Sequence, residues 1–218
     1  MERPAGDASQ RFAHGNALVA VLSARGIVNG TFAFWLLAQH PRWADVFRVG
    51  STYGLVDGAL GLVTVVLLLP RTPSGSPPML RVTTLLDALV RLAVSFAIRA
   101  LPGIPDTPIT TLLFFSALAA YALGLGVVAV LVWLVGHARW RKGSSTRRPG
   151  TGELFDPLAV AGVLVLGVVA YSLHFGPPAS VQRLRSDAVW ISSGFAIAFF
   201  VAAAGAVRTN RTRRAAVS

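Results

Sequence analysis

The sequence predicts an all-α, polytopic membrane protein of six transmembrane helices arranged as three two-helix repeats, and three observations carry that expectation. Of 218 residues, 54% are hydrophobic and only 13% charged, with a mean hydropathy of +0.61, outside the range of an ordinary soluble domain. Six apolar runs, at 17–38, 50–69, 83–101, 109–136, 158–175 and 188–207, each approach the ~20 residues needed to cross the hydrocarbon core. Glycines recur every 68 residues, at Gly58, Gly126 and Gly194, and a fixed internal period constrains architecture before any single element does.

The matching extends around each glycine. Tyr53, Asp57 and Gly58 align with Tyr121, Leu125 and Gly126, and then with Val189, Ser193 and Gly194. In the first helix of each pair, Arg25-Gly26, Asp87-Ala88 and Ala161-Gly162 lead after fourteen or fifteen residues to Pro41, Pro102 and Pro177. Proline removes a backbone donor and stops a helix, so each of these marks the outer turn of a hairpin. The expected organisation is a polar cytoplasmic lead over 1–16, hairpins at 17–69, 83–136 and 158–207, linkers at 70–82 and 137–157, and a basic tail over 208–218. The Pro, Gly and Ser of 70–78 break helices, which is why a linker is read there.

Orientation follows from the basic residues. With a cytoplasmic N-terminus, the inner segments hold Arg3, Arg11, Arg71, Arg81, Arg139, Arg141, Lys142, Arg147, Arg148 and the four arginines of 208–214. The outer segments hold only Arg42, Arg48, Arg99, Arg183 and Arg185. The positive-inside rule therefore places both termini in the cytoplasm. A net charge of +11 spread over short loops and tails builds no nucleic-acid-binding fold. The bilayer is the expected partner, and the 139–148 linker and 208–214 tail read as topology determinants, with contact to anionic lipid as the alternative. The chain has no cysteine, so disulfides and thiolate metal sites are excluded. Removing the first apolar run as a signal peptide would leave an odd helix count, so no cleavage is expected. Trp35, Trp43, Trp140 and Trp190 fall near predicted interfaces, as an aromatic belt requires.

Two sets of residues are candidates for work inside the membrane. Gly26 and Gly30, Gly54 and Gly58, Gly126, and Gly194 with Ala198, Ala202 and Ala206 place small residues where helices can approach closely. Their partner is either a sister helix or a second copy of the chain. Arg25, Asn29, Asp57, Asp87 and Arg91 are polar or charged within spans, and a charge at a helix centre costs about 2.5–3.5 kcal/mol to insert, so these groups demand partners. Arg25 with Asn29, and Asp87 with Arg91, are spaced i,i+4 and share a face. Counted from the inner helix ends, each carboxylate stands roughly 6 Å above or below the guanidinium level at 1.5 Å per residue. A neutral cluster between the first two hairpins is expected, as an ion-pair lock or as a proton relay titrating at Asp57. His40 and His174 fall at outer helix ends, while His14 and His137 lie on the inner side, so a four-histidine metal site is not expected. No cofactor motif or catalytic signature is present.

The order of these marks, Arg25-Gly26 to Pro41, Tyr53 to Gly58, Asp87-Ala88 to Pro102, and Tyr121 to Gly126, resembles the acid-resistance membrane protein family HdeD over residues 17–207. The third repeat departs from the pattern, since Val189 stands where a tyrosine would. The resemblance implies a non-enzymatic, multi-pass bacterial inner-membrane protein linked to acid or envelope stress, and it supplies no catalytic residues. A small proton, ion or solute transporter built on the charged cluster, and a membrane scaffold or complex subunit, are the alternatives.

Overall fold

The computed structural model describes residues 5–39, 42–69, 78–101, 103, 108–144, 156–176 and 181–215. Among them every regular element is a helix: α1 (Ala5–Ala38), α2 (Trp43–Leu68), α3 (Pro78–Ala100), α4 (Pro108–Arg141), α5 (Pro157–His174) and α6 (Val181–Ala215). Pro41, Pro102 and Pro177, the expected turn residues, lie outside the described residues, as does His40.

Several helices run further than their apolar cores. The polar lead over 1–16 is helical from Ala5 onward, because no proline stands between Ala5 and the span and an existing helix extends cheaply even through Gly6, Gly15 and Asn16. The 70–82 linker is shortened in the same way, since Pro78 opens α3, and a proline at the first helical position gives up only an N–H that has no partner there. α4 runs five residues beyond Gly136 into the basic linker and stops at Gly143, whose φ of 70° is in the left-handed region. There Gly143 N donates to Trp140 O at 3.0 Å and Ser144 N to Arg139 O at 3.1 Å, the paired bonds that close a helix on a left-handed glycine. α5 begins on Asp156, whose carboxylate accepts from Leu158 N at 2.8 Å with Pro157 behind it.

Five of the helices contain stretches long and apolar enough to cross a membrane: Gly15–Ala38, Ala44–Leu68, Leu112–Arg141, Pro157–His174 and Gln182–Arg208. The expected third span, α3, does not reach that level, because Arg81, Asp87, Arg91 and Arg99 interrupt it. Large apolar side chains stand exposed along the bundle, Phe34, Val66, Leu113, Val127, Val163 and Ile197 among them. Such a surface fits a lipid environment better than water.

The helices form a closed ring in which each packs on its chain neighbours and α6 returns to α1. The most extensive packing joins α6 to α1, α2 to α3 and α4 to α5, so each expected hairpin packs more broadly on the next hairpin than its own two helices pack on each other. Small residues explain this. A Cβ added at Gly26 would meet the Phe200 ring at 2.9 Å, one at Gly58 would meet Leu92 Cγ at 2.7 Å, and one at Gly162 would meet Ala122 O at 3.3 Å. These three glycines sit on the α1/α6, α2/α3 and α4/α5 seams in turn. On the α2/α3 seam, Gly54 faces Ser95, Gly58 faces Leu92 and Gly61 faces Ala88, an antiparallel register.

The 68-residue glycines do not share one packing role. Gly58 is closely covered, Gly194 makes ordinary contact with Leu164 at 3.4 Å, and Gly126 has no neighbouring atom of the described residues within 4 Å of where a Cβ would stand. Within the chain, Gly126 faces no sister helix among the described residues, so of its two expected partners a second copy of the chain is the one left, and the burial on that turn falls to Leu125 and Ala122. Gly30 faces Ala196 at 3.8 Å, a looser fit than Gly26.

Candidate functional site

The three positions aligned in the sequence at the first helix of each repeat, Arg25, Asp87 and Ala161, are all buried, at 0%, 0% and 1% exposure. One turn on, Asn29 and Val165 are buried and Arg91 is nearly so. Two of the three helices therefore turn polar groups toward the bundle interior, and the third turns Ala161 and Val165.

The charged groups meet. Arg25 grips Asp57 in a two-pronged contact, Nε donating to Oδ1 at 2.9 Å and Nη2 to Oδ2 at 3.0 Å, while Nη2 also donates to Asp87 Oδ2. Arg91 donates from Nε to Asp87 Oδ1 at 2.7 Å, lies 3.1 Å from Asp57 Oδ2, and reaches Asn29 Oδ1 from Nη1 at 3.3 Å. Asn29 in turn donates to the Arg25 carbonyl at 2.9 Å. Two arginines and two aspartates form one neutral network across α1, α2 and α3. Charge-assisted and bidentate bonds of this kind offset much of the desolvation of buried ions.

Three residues of the site were not singled out from sequence. Tyr121 on α4 donates its phenol to Asp87 Oδ1. Phe199 and Phe195 on α6 lie under the guanidinium groups, Arg25 Cζ 4.0 Å from the Phe199 ring centre and Arg91 Cζ 4.3 Å from that of Phe195. An aromatic face attracts a desolvated cation. Arg25 Nη1 and Arg91 Nη2, buried without a hydrogen-bond partner among the described residues, are the two donors that most need this. The repeat alignment contains a signal for Tyr121, because it matches Tyr53 and precedes by four residues the position of Asp57. Tyr53 itself packs on Phe32. Nothing in the sequence separates Phe195 and Phe199 from other apolar residues of α6.

Two further buried acids stand apart from the cluster. Asp156 Oδ2 accepts from Thr83 Oγ1 at 2.8 Å, joining α5 to α3. Asp187 accepts from Ser172 at 2.6 Å, joining α6 to α5; the α5/α6 pair thus carries a buried acid of its own. Burial pushes the Asp156 carboxyl above its ordinary range, opposed by the bonds from Thr83, Leu158 and Ala159 and reinforced by Asp87. His174 is exposed against Phe175, and no group of three His, Asp or Glu among the described residues is placed to hold a metal. Comparison with family models, with curated proteins and with solved structures returns no match.

Proposed function

We propose that the chain is a six-span bacterial plasma-membrane protein, three hairpins with both termini in the cytoplasm, that acts without catalysis as an HdeD-like component of acid or envelope stress resistance. The observation that carries the non-catalytic reading is the mutual pairing of Arg25, Asp57, Asp87 and Arg91 under Phe195 and Phe199. Charges spent on one another and capped by aromatic rings hold helices in register. They leave little polarity for a substrate. α3 supports the sixth span, because its two most costly charges are neutralised inside the ring and what it shows outward includes Val82, Leu85, Leu89, Val94 and Phe96. The stress-resistance part rests on the order of sequence marks described above.

Deletion is expected to lower survival at acidic external pH, with His40 and His174 substitutions leaving survival unchanged; equal survival of the deletion strain would remove the stress reading. For topology, single cysteines replacing Ser9, Ser144 and Ser218 should resist an impermeant thiol reagent in intact cells, and one replacing Ser180 should react. Labelling of the Ser144→Cys variant from outside would sink the orientation.

A proton relay is the second reading, favoured by the 17% exposure of the Arg91 side chain and by the Tyr121 phenol on Asp87. Liposomes with an internal pH dye separate the two. A proton flux lost in Asp57→Asn, with the variant still folded, would replace the lock by a relay.

A further inference from the structure

At the end of the α1/α6 seam a cleft of about 350 Å³ opens between Asn16, Val19 and Ala20 of α1 and Val207, Asn210 and Arg211 of α6. Its place and its lining are both specific. The apolar stretches of these two helices end at Gly15 and Arg208, so the cleft lies at the border between the hydrocarbon-facing part of the bundle and the polar ends. Of its lining residues, Val19, Ala20 and Val207 fall within the apolar stretches, Asn16 at the border of one, and Asn210 and Arg211 just beyond the end of the other. Asn210 Nδ2 donates to Asn16 Oδ1 at 3.0 Å, which fixes the two amides against each other. A side chain at Gly15 would sit 3.0 Å from Asn210 Oδ1, so the absence of a Cβ there lets the amide pair seat close to α1.

The electrostatics are one-sided. α1 has no acidic residue after Asp7, and α6 has none after Asp187, while Arg208, Arg211, Arg213 and Arg214 follow within seven residues. Among the described side chains, neither helix that forms the cleft supplies a counter-charge near it. An aqueous anion would account for Arg211 and the amides but not for the three apolar residues behind them. A group with a phosphate at one end and hydrocarbon at the other accounts for both halves.

We infer that the cleft between the inner ends of α1 and α6 is a binding site for one anionic phospholipid, its phosphate on Arg211 and the Asn16/Asn210 amides and its glycerol and upper acyl chain against Val19, Ala20 and Val207. The inference rests on the membrane-spanning reading and adds to it a lipid held between the first and last helices. Since the α1/α6 contact is what closes the ring, a lipid seated there braces the closure.

The full chain is purified in mild detergent and mixed with phosphatidylglycerol or phosphatidylcholine of matched acyl chains. Retained lipid is counted by native mass spectrometry and stability is followed by thermal melting. Phosphatidylglycerol should be retained in preference and should raise the melting temperature. Arg211→Gln should lower its retention about fivefold, the worth of one basic residue at an anionic membrane surface. Ala20→Trp, which fills the apolar half, should abolish retention while leaving the lipid-free melting temperature unchanged, because Ala20 is exposed. Arg42→Gln at the opposite end of the bundle should change nothing. Equal retention of the two lipids, or unchanged retention in both Arg211→Gln and Ala20→Trp, overturns the site. Inorganic phosphate that raises the melting temperature as much as the lipid would assign the cleft to a free anion and overturn it too. Flotation with reconstituted vesicles is scored separately: a chain that floats but retains no anionic lipid refutes the cleft alone, and one that does not float refutes the membrane reading with it.

Discussion

The seam between α2 and α3 and the seam between α4 and α5 occupy equivalent places in the ring, each joining one expected hairpin to the next, yet they are held by different chemistry. The first is polar and ionic: Asp57 and Asp87 share Arg25 and Arg91, with glycines at 54, 58 and 61 letting α3 sit against the α2 backbone. The second is apolar, with Gly162 against Ala122 and Leu125, and Ala129 and Ala159 clustered beside Trp133. Lipid tails are as apolar as leucine, so neither seam is driven by exclusion of water and both depend on close fit. What the ionic seam adds is register. A slip of one turn on the apolar seam exchanges one small or branched side chain for another, whereas the same slip beside Arg25 strands a buried charge.

The largest effect should come from breaking that seam at its hub. Arg25 bonds both carboxylates, so Arg25→Gln leaves Arg91 alone against Asp57 and Asp87, and removal of one partner from a buried ionic network costs about 3–5 kcal/mol. Asp57→Asn strands a positive charge instead. The double variant restores neutrality with Arg91 and Asp87 still paired, and it should be more stable in detergent than Arg25→Gln alone. Additive losses in the melting cycle would mean that the two side chains do not interact, and the contrast between the seams would then reduce to packing.

Next in size is a glycine series that grades the seams by fit. Gly58→Ala forces a methyl to within 2.7 Å of Leu92 and 3.2 Å of the Ala88 carbonyl, an overpacking worth about 1–3 kcal/mol. Gly162→Ala meets its neighbours at 3.3 Å and should cost less. Gly126→Ala meets nothing within 4 Å among the described residues, so relief of backbone entropy should stabilise the helix by about 0.5–1 kcal/mol. A Gly126→Ala variant that lost stability would show that α4 has a partner on its open face. Equal costs at Gly58 and Gly162 would erase the distinction between the seams.

The same glycines show what was legible in the sequence. Period located them and composition placed them on helices, but neither says which face of the helix meets a neighbour, so Gly58 and Gly126 looked alike. The aligned triplet Arg25, Asp87 and Ala161 was more informative. A charge inside an apolar run is too costly to leave unpaired, and that energetic constraint specifies an inward direction that a glycine does not. Depth along the helix then singled out Arg25, Asp57, Asp87 and Arg91 as groups within mutual reach. Tyr121 and the two phenylalanines escaped because an aromatic residue is tolerated equally by lipid, by a core and by a cation. The preference of each hairpin for its neighbour escaped as well, since connectivity suggests that adjacent helices pair and says nothing about which seams carry the small residues.

Tyr121→Phe tests the edge of the network. It removes one bond to a charged acceptor, and such bonds contribute about 1.5–3 kcal/mol. The lower end is expected, because Asp87 Oδ1 keeps the bond from Arg91 Nε at 2.7 Å. Tyr53→Phe, at the aligned position on α2, should be close to neutral, since that ring is placed by packing on Phe32. A larger loss at Tyr53 than at Tyr121 would place the polar seam around the wrong tyrosine.

The smallest effect is expected at Asp156, which links the two seams by capping α5 and accepting from Thr83 of α3. Burial is the largest influence on this carboxyl and raises its pKa in the folded protein, the hydrogen bonds from Thr83 and the α5 backbone only partly opposing it. A raised folded-state pKa means that the native bundle favours the protonated acid. The stability this contributes is full below the ordinary carboxylate pKa and is lost as pH rises through the raised value. Melting temperature measured in detergent should therefore fall slightly across that window in the wild-type chain, and the fall should flatten in Asp156→Asn. Asparagine caps a helix about as well as aspartate, so helix α5 should be retained and the comparison should isolate the charge. An unchanged slope in Asp156→Asn would show that the dependence belongs to other carboxyls. A steeper one would mean that the ionised form, bound to Thr83 and the α5 backbone, is the one the fold prefers, and that the link between α3 and α5 is ionic like the α2/α3 seam.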